Sequence, residues 1–388
     1  MLFSQERHCT LSFINHLQQE TMKKIFSCLF SLAVLISGLS FTACQEKALE
    51  GDLILSVSSK IIVADGVDEL VLTAKIGDVD ITHEAAFYIN NSPMSGNTFT
   101  TEKPGEYTFF ASYNGNISKH VTIKAANPAL YVSVPEDSQP DKFSGFSRKV
   151  LVAEGTGTWC GYCPYMIAAL ELFSENGSNA DKAVIVATHS GDEFSNAASE
   201  AAVSAMSIKG FPSCVLNLNP EVLIQNNYPD INAEKINSTI GMELKEAARV
   251  GIAAATALSV DSTIIGVRAA VKVGKNGSYR INAWLIEDGI NGYQSGAEAV
   301  ISHMHILRGA SCVSPIYGQL LGGKESCSAG EVMDFYYEFD TKKFDVADVK
   351  NCKVAIMVTA ASGMSSKCFV NNIIECPVGE DVPFAYNN

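Results

Sequence analysis

Residues 157–166 read GTWCGYCPYM, and they carry two cysteines, Cys160 and Cys163, with two residues between them. A pair at this spacing serves as a redox dithiol, as half of a metal site or as one structural disulfide. The spacing alone does not choose, so the flanking sequence has to. Residues 149–155, KVLVAEG, form an apolar run with the character of a buried strand. From residue 163 to about 176, Ile167, Leu170 and Phe173 recur at helical spacing. A second β-branched run, AVIVATH, occupies 183–189. Residues 195–208 are alanine-rich, with Val203 and Met206 expected to face inward. SCVLNL (213–218) and EVLIQ (221–225) flank Asn219-Pro220 as a hairpin would. A third helix is expected over 231–249. The predicted order is β-α-β-α-β-β-α, with the cysteine pair between the first strand and the first helix.

That order over residues 148–249 resembles the thioredoxin fold, and three local features carry the resemblance. Trp159 to Cys163 resembles the WCxxC motif of thioredoxins. Gly210-Phe211-Pro212 stands before the third strand, where these proteins carry a cis-proline. Glu154 lies six residues before Cys160, where they carry a buried acid. The stretch GTGT at 155–158 departs from the family pattern. The resemblance implies that Cys160 attacks, Cys163 resolves, Glu154 moves the proton and Pro212 orients the substrate. Trp159, Tyr162 and Phe211 would then contact that substrate. The chemistry is consistent with these roles. A cysteine at the start of a helix faces unpaired N–H groups and the positive end of the dipole, which favours its thiolate. Burial would raise the pKa of Glu154 towards that of a general base. A zinc site would need a second C-x-x-C or H-x-x-x-H, and the sequence has neither. Cys214 reads as a small core residue.

Residues 1–21 carry no apolar run and are expected to be an unstructured upstream extension. In 22–43, Met22, Lys23 and Lys24 precede an apolar stretch from Ile25 to Leu39 and a small-residue site, as in a secretory signal. FTAC resembles a bacterial lipobox, which implies lipidation of Cys44 and an acyl anchor. Gln45 after it fits the sorting pattern for the outer membrane, facing periplasm or cell surface. Residues 44–50 read as a tether. Residues 51–127 alternate in period two between turn signals, as a small β-sandwich would. Their last part, KPGEYTFFASYNGNISKHVTIK, resembles the final strands of bacterial immunoglobulin-like domains. Residues 128–147 hold prolines and read as a linker, and 250–388 read as a C-terminal β-sandwich.

The net charge of −14 and the lack of a basic stripe argue against nucleic acid as a partner. Eight cysteines follow Cys44, and an exported chain can keep them as disulfides. Hairpin registers suggest Cys312 with Cys327 and Cys352 with Cys376, each bridge contributing roughly 3 kcal/mol. His303 and His305 share a strand face near Glu287 and Asp288, which is thin support for a metal; no metal and no cofactor is expected.

GTWCGYCP taken with YRINAWLIEDGINGYQ (279–294), SHMHILRGA (302–310) and FVNN (369–372) resembles the outer membrane protein 28 family of Bacteroidetes lipoproteins. The expected fold class is multidomain α+β: a thioredoxin-like α/β domain flanked by two β-sandwich domains. The expected function is thiol–disulfide exchange on exported proteins. The alternative is a surface binding or adhesion lipoprotein whose thioredoxin-like part is a scaffold.

Overall fold

The computed structural model describes residue 49, residues 51–361 and residues 368–387. The expected signal segment and Cys44 lie outside them. No helix among the described residues is long and apolar enough to cross a membrane.

The first ten strands are short. They are β1 (Leu53–Val57), β2 (Ile61–Val63), β3 (Leu70–Ile76), β4 (Val79–Asp80), β5 (Ala86–Ile89), β6 (Ser92–Pro93), β7 (Thr98–Phe99), β8 (Gly105–Tyr113), β9 (Asn116–Ile117) and β10 (Val121–Ala126). They make two sheets, β1-β3-β4 with β7 on β3, and β2-β10-β8-β5-β6 with β9 on β8. In β3, LVLTAKI, Leu70, Leu72, Ala74 and Ile76 are buried while the residues between them are not. This is the alternation of a strand with one face on a core. Phe87, Phe109 and Ile123 from the other sheet complete that core.

The next segment runs β11 (Val150–Thr156), α1 (Cys163–Asn176), β12 (Ala183–His189), α2 (Ala197–Ala205), β13 (Ser213–Leu216), β14 (Leu223–Ile224) and α3 (Pro229–Glu243). β11 pairs parallel with β12 and antiparallel with β13. The remaining strands are β15 (Val250–Leu258), β16 (Ile264–Val273), β17 (Tyr279–Glu287), β18 (Ile290–Gly292), β19 (Ile301–His303), β20 (Ile306–Ala310), β21 (Gln319–Leu320), β22 (Val332–Asp340), β23 (Cys352–Ala361), β24 (Cys368–Pro377) and β25 (Asp381–Val382).

The expected fold class is corrected at this point. The described chain is mostly β, with 25 strands against three α-helices, and the strands of residues 150–224 do not close a separate α/β domain between two sandwiches. They continue directly into the C-terminal strands as one nine-stranded sheet, β14-β13-β11-β12-β20-β17-β23-β24, with β21 on β17. The join is the pairing of β12 with β20, Ala187 opposite Ile306, and the Ala187 N–H donates to the His305 carbonyl at 2.7 Å. A single core covers one face of this sheet on both sides of the join. Leu151, Val186 and Met206 pack in it with Trp284, Leu307 and Met357. The physical reason is visible in the burial. β11 and most of β17 are buried on both faces, as strands in the middle of a sheet covered on both sides must be. The other face of β17, β23 and β24 packs on the sheet β22-β16-β15-β25.

Side-chain amides secure the ends of the 148–249 segment. Asn372 Oδ1 accepts from the Lys149 N–H at 3.0 Å, and its Nδ2 donates to the carbonyls of Ser147 and Val250. Asn371 Oδ1 accepts from the Arg249 N–H at 2.8 Å. The FVNN stretch is therefore a clasp on both termini of the segment. Residues 128–147 are also packed: buried Lys272 donates through Nζ to Asp137 at 2.6 Å and to the carbonyls of Gln139 and Pro140.

The two expected bridges are absent. Cys312, Cys327, Cys352 and Cys376 are free thiols. The hairpin closes with Ala361 opposite Cys368, already one residue off the expected register, and the bulge between Val358 and Thr359 adds a second, so that Cys376 faces Val354 and not Cys352. Cys327 lies across from Gly277 in an isolated bridge, away from Cys312. Burial pushes the Cys352 thiol up to about 12 and the Cys376 thiol up to about 11.

Candidate functional site

Cys160 and Cys163 are joined as a disulfide, with Cα atoms 5.4 Å apart. Cys163 is the first residue of α1 and Tyr162 its N-cap, with Pro164 in the first turn. Proline suits that position because it has no N–H to leave unpaired. Cys160 is thus not the N-cap expected from the sequence; it sits two residues earlier, in a turn where its N–H donates to the Gly157 carbonyl at 3.0 Å. The two sulfurs are not equivalent in access. Cys160 keeps 4% of its surface and Cys163 none.

The aromatic side chains around the pair are open. Trp159 and Tyr162 are both more than half exposed. Trp159 is nevertheless oriented, since its Nε1–H donates to the Ser190 carbonyl at 2.8 Å and its ring meets Phe211 edge-on at 5.5 Å. The Phe211–Pro212 peptide is cis, and Pro212 leads into β13. The structure thereby brings Trp159, Phe211 and Pro212 to one side of the disulfide loop.

Glu154 occupies the middle of β11, across from Ala187 on one side and Cys214 on the other. It is buried, its Oε1 has no hydrogen-bond partner, and burial pushes its pKa up to about 8. Burial also drives the Cys214 thiol far above its ordinary range, with the neighbouring Glu154 adding to the effect. Cys214 is fully buried in the core under β11, as read from the sequence.

The residues that sequence reasoning missed come from the C-terminal half. Gln294 is buried and donates through Nε2 to the Cys160 carbonyl at 2.9 Å and the Gly157 carbonyl at 3.2 Å. The Ser295 N–H donates to the Thr158 carbonyl at 2.7 Å. Gly296, at φ +83°, packs so closely on Gly161 that a Cβ there would collide with its backbone. The loop after β18 thus seats the disulfide loop from a distance of 134 residues in sequence. No local motif announces this; a polar residue beside two glycines reads as any surface loop.

His189 at the end of β12 is also buried. Its Nδ1 lies 2.6 Å from Asp192 Oδ2, an oxygen that also accepts from the Thr158 N–H. His303 on β19 stacks near it, ring centres 5.7 Å apart, and shares Nε2 with the Tyr293 carbonyl at 3.2 Å. His305 does not join them; it pairs with Asp288 at 3.2 Å, and Glu287 pairs with Arg308 at 3.1 Å. Glu287 and Asp288 therefore both have partners within the fold, Asp288 also taking Lys353 Nζ at 3.0 Å. No cluster of three or more possible metal ligands occurs among the described residues.

Residues 199–382 match the family model of outer membrane protein Omp28. The matched part includes Pro212, Gln294 and His303 and leaves out Cys160, Cys163 and the first two sheets. The family description places the chain at the outer membrane, in line with the expectation from its signal segment. Among solved structures, HBP35 of Porphyromonas gingivalis is similar at 18% identity and a TM-score of 0.49, over 63% of this chain and 80% of that one. A domain of the outer membrane lipoprotein Omp28 from Porphyromonas gingivalis is similar at 13% identity and a TM-score of 0.21, over 35% of this chain and 90% of that one. No curated protein matches the chain.

Proposed function

We propose that this outer-membrane protein carries out thiol–disulfide exchange on exported proteins through Cys160 and Cys163. The observation that carries the reading is the asymmetry of the pair: Cys160 keeps a small exposed edge, 4% of its surface, beside exposed Trp159 and Tyr162, while Cys163 keeps none. Attack at an exchange disulfide depends on which sulfur is accessible. From the reduced side, the Cys160 thiolate attacks one sulfur of a client disulfide and the other client sulfur leaves as a thiolate. Cys163 gives its proton to the Glu154 carboxylate and attacks the Cys160 sulfur of the mixed disulfide. The client leaves with two thiols, and Cys160–Cys163 is oxidised by the same two electrons. The reverse sequence oxidises a client. Pro212 and Phe211 would orient the client chain beside Trp159.

Trapping tests this directly. Cys163→Ser in the native cell should accumulate mixed disulfides with exported proteins that a reductant releases, because nothing remains to resolve them. Cys160→Ser should trap few. Partner binding that persists in both variants without any reducible adduct would replace this reading with the surface-binding one.

A further inference from the structure

The exchange reading leaves one quantity unaccounted for, the proton that Glu154 takes from Cys163. Glu154 is 3% exposed, and a proton taken there has to reach solvent before the next turnover. A cavity of about 250 Å³ is lined by Glu154, Thr156, His189 and His303. One stripe of α1, Ile167, Leu170, Glu171, Ser174 and Glu175, forms a wall of it, and the exposed Glu171, Ser174, Glu175 and Met304 mark its open side. Two oxygens that line it, Glu154 Oε1 and Thr156 Oγ1, meet no partner at full hydrogen-bond geometry, although the Thr156 hydroxyl is near enough to Glu154 to offset part of its burial. Buried polar atoms are normally satisfied, and water enters a cavity that is roomy and offers two to four polar partners.

The two imidazoles are arranged to continue such a chain. His189 Nδ1 is held against Asp192 at 2.6 Å; His303 gives its Nε2–H to the Tyr293 carbonyl, which leaves its Nδ1 as the free ring nitrogen. This tautomer of His303 follows from the acceptor its ring faces. Burial, with a smaller push from His189, holds His303 below the usual histidine range, so it stays neutral and free to accept a proton and release it.

We infer that this cavity is the route by which Glu154 exchanges its proton with solvent, with His303 relaying the proton along it. The inference rests on the exchange reading for its purpose, but not for its physical content. It makes β19 part of the dithiol site, although β19 lies more than a hundred residues from Cys163. The other charged or titratable groups near the path are accounted for. Glu171 and Glu175 of α1 are exposed at the mouth. Asp192 and Glu193 are engaged by His189 and the Thr158 hydroxyl. Cys214 of β13 stays protonated, and His305 is paired with Asp288.

Two variants test the route. His303→Leu removes the relay at similar size, and Met304→Trp closes the mouth from an exposed position without disturbing the buried cluster. The oxidised full-length protein is mixed into deuterium oxide, and the carboxyl band of Glu154, identified by its loss in Glu154→Gln, is followed by infrared spectroscopy. Deuterium should replace the Glu154 proton at least about tenfold more slowly in both variants, the scale of a lost proton-transfer group. Replacement at the wild-type rate in both, or in Met304→Trp alone if His303→Leu does not fold, overturns the inference. A parallel reading follows the release of client from its mixed disulfide. It should slow in the variants, with a changed pH profile, while the first attack by Cys160 is unaffected. If the wild-type protein forms no mixed disulfide at all, the exchange reading fails, and the infrared result still decides the route.

Discussion

The sheets of residues 53–126 and the nine-stranded sheet that holds Glu154 each cover a buried core, yet they differ in what their sequences say. β3 alternates buried and open residues along its whole length, and the alternation identifies its face and its sheet together. β11, VLVAEGT, is buried at every position. A fully buried run announces a central strand but not its neighbours. The unexpected join of β12 to β20 arises from that silence. The lesson is that a one-sided strand carries its topology locally, whereas a two-sided strand leaves it to partners far along the chain.

The largest effect should separate the two regions. Trp284 is fully buried in the core that spans the join, with Leu151 and Val186 around it. Trp284→Ala should cost about 3–5 kcal/mol, and hydrogen exchange should accelerate in β11 and β12 as well as in β17 and β23. Phe109 is equally buried in the first core. Phe109→Ala should cost a similar amount but accelerate exchange only within residues 53–126. Acceleration confined to β17 and β23 in Trp284→Ala would break the claim of one shared core.

A smaller, pH-dependent effect should appear only in the nine-stranded sheet. Burial raises the Glu154 pKa from the ordinary value of 4.5 to about 8. The folded state therefore holds this proton where the unfolded chain has lost it. Stability from this group is fully present below pH 4.5 and is lost as pH rises through about 8. Glu154→Gln removes the dependence. In chemical denaturation the variant should gain a few kcal/mol on wild type between pH 4.5 and pH 8. A difference that stays flat over that interval would mean Glu154 is not buried in its acid form.

The clasp at Asn372 should give the smallest effect of the three. Asn372→Ala leaves the Lys149 N–H and the carbonyls of Ser147 and Val250 without their partner. The expected loss is about 1–3 kcal/mol, with protection falling first at the Lys149 N–H. Unchanged protection there would show that the clasp is incidental.

Much of the site was legible because its signals are local. Proline after Cys163 fits a helix start, and Glu154 in a run of apolar residues had to be buried. Gln294 and His303 were not legible, because their roles depend on which loop the fold sets against Cys160. The expected Cys352–Cys376 pair differs for a related reason: the turn sets Ala361 opposite Cys368, one residue off, and the bulge at Val358 adds another, and neither leaves a clear mark in sequence. The histidines and acids at 287–305 give only a thin metal signal, and in the fold Glu287 pairs with Arg308, and Asp288 with His305 and with Lys353.

The claim on which the account turns is that Cys160–Cys163 is an exchange site rather than a structural bond. Equilibrating the folded protein in graded thiol–disulfide buffers and counting the two free thiols gives its reduction potential. An exchange pair should be reduced and reoxidised reversibly with the fold intact, with a midpoint in the range of about −270 to −120 mV found for disulfide-exchange proteins. A midpoint below about −300 mV, or reduction only on unfolding, is the behaviour of a structural disulfide and would contradict the account.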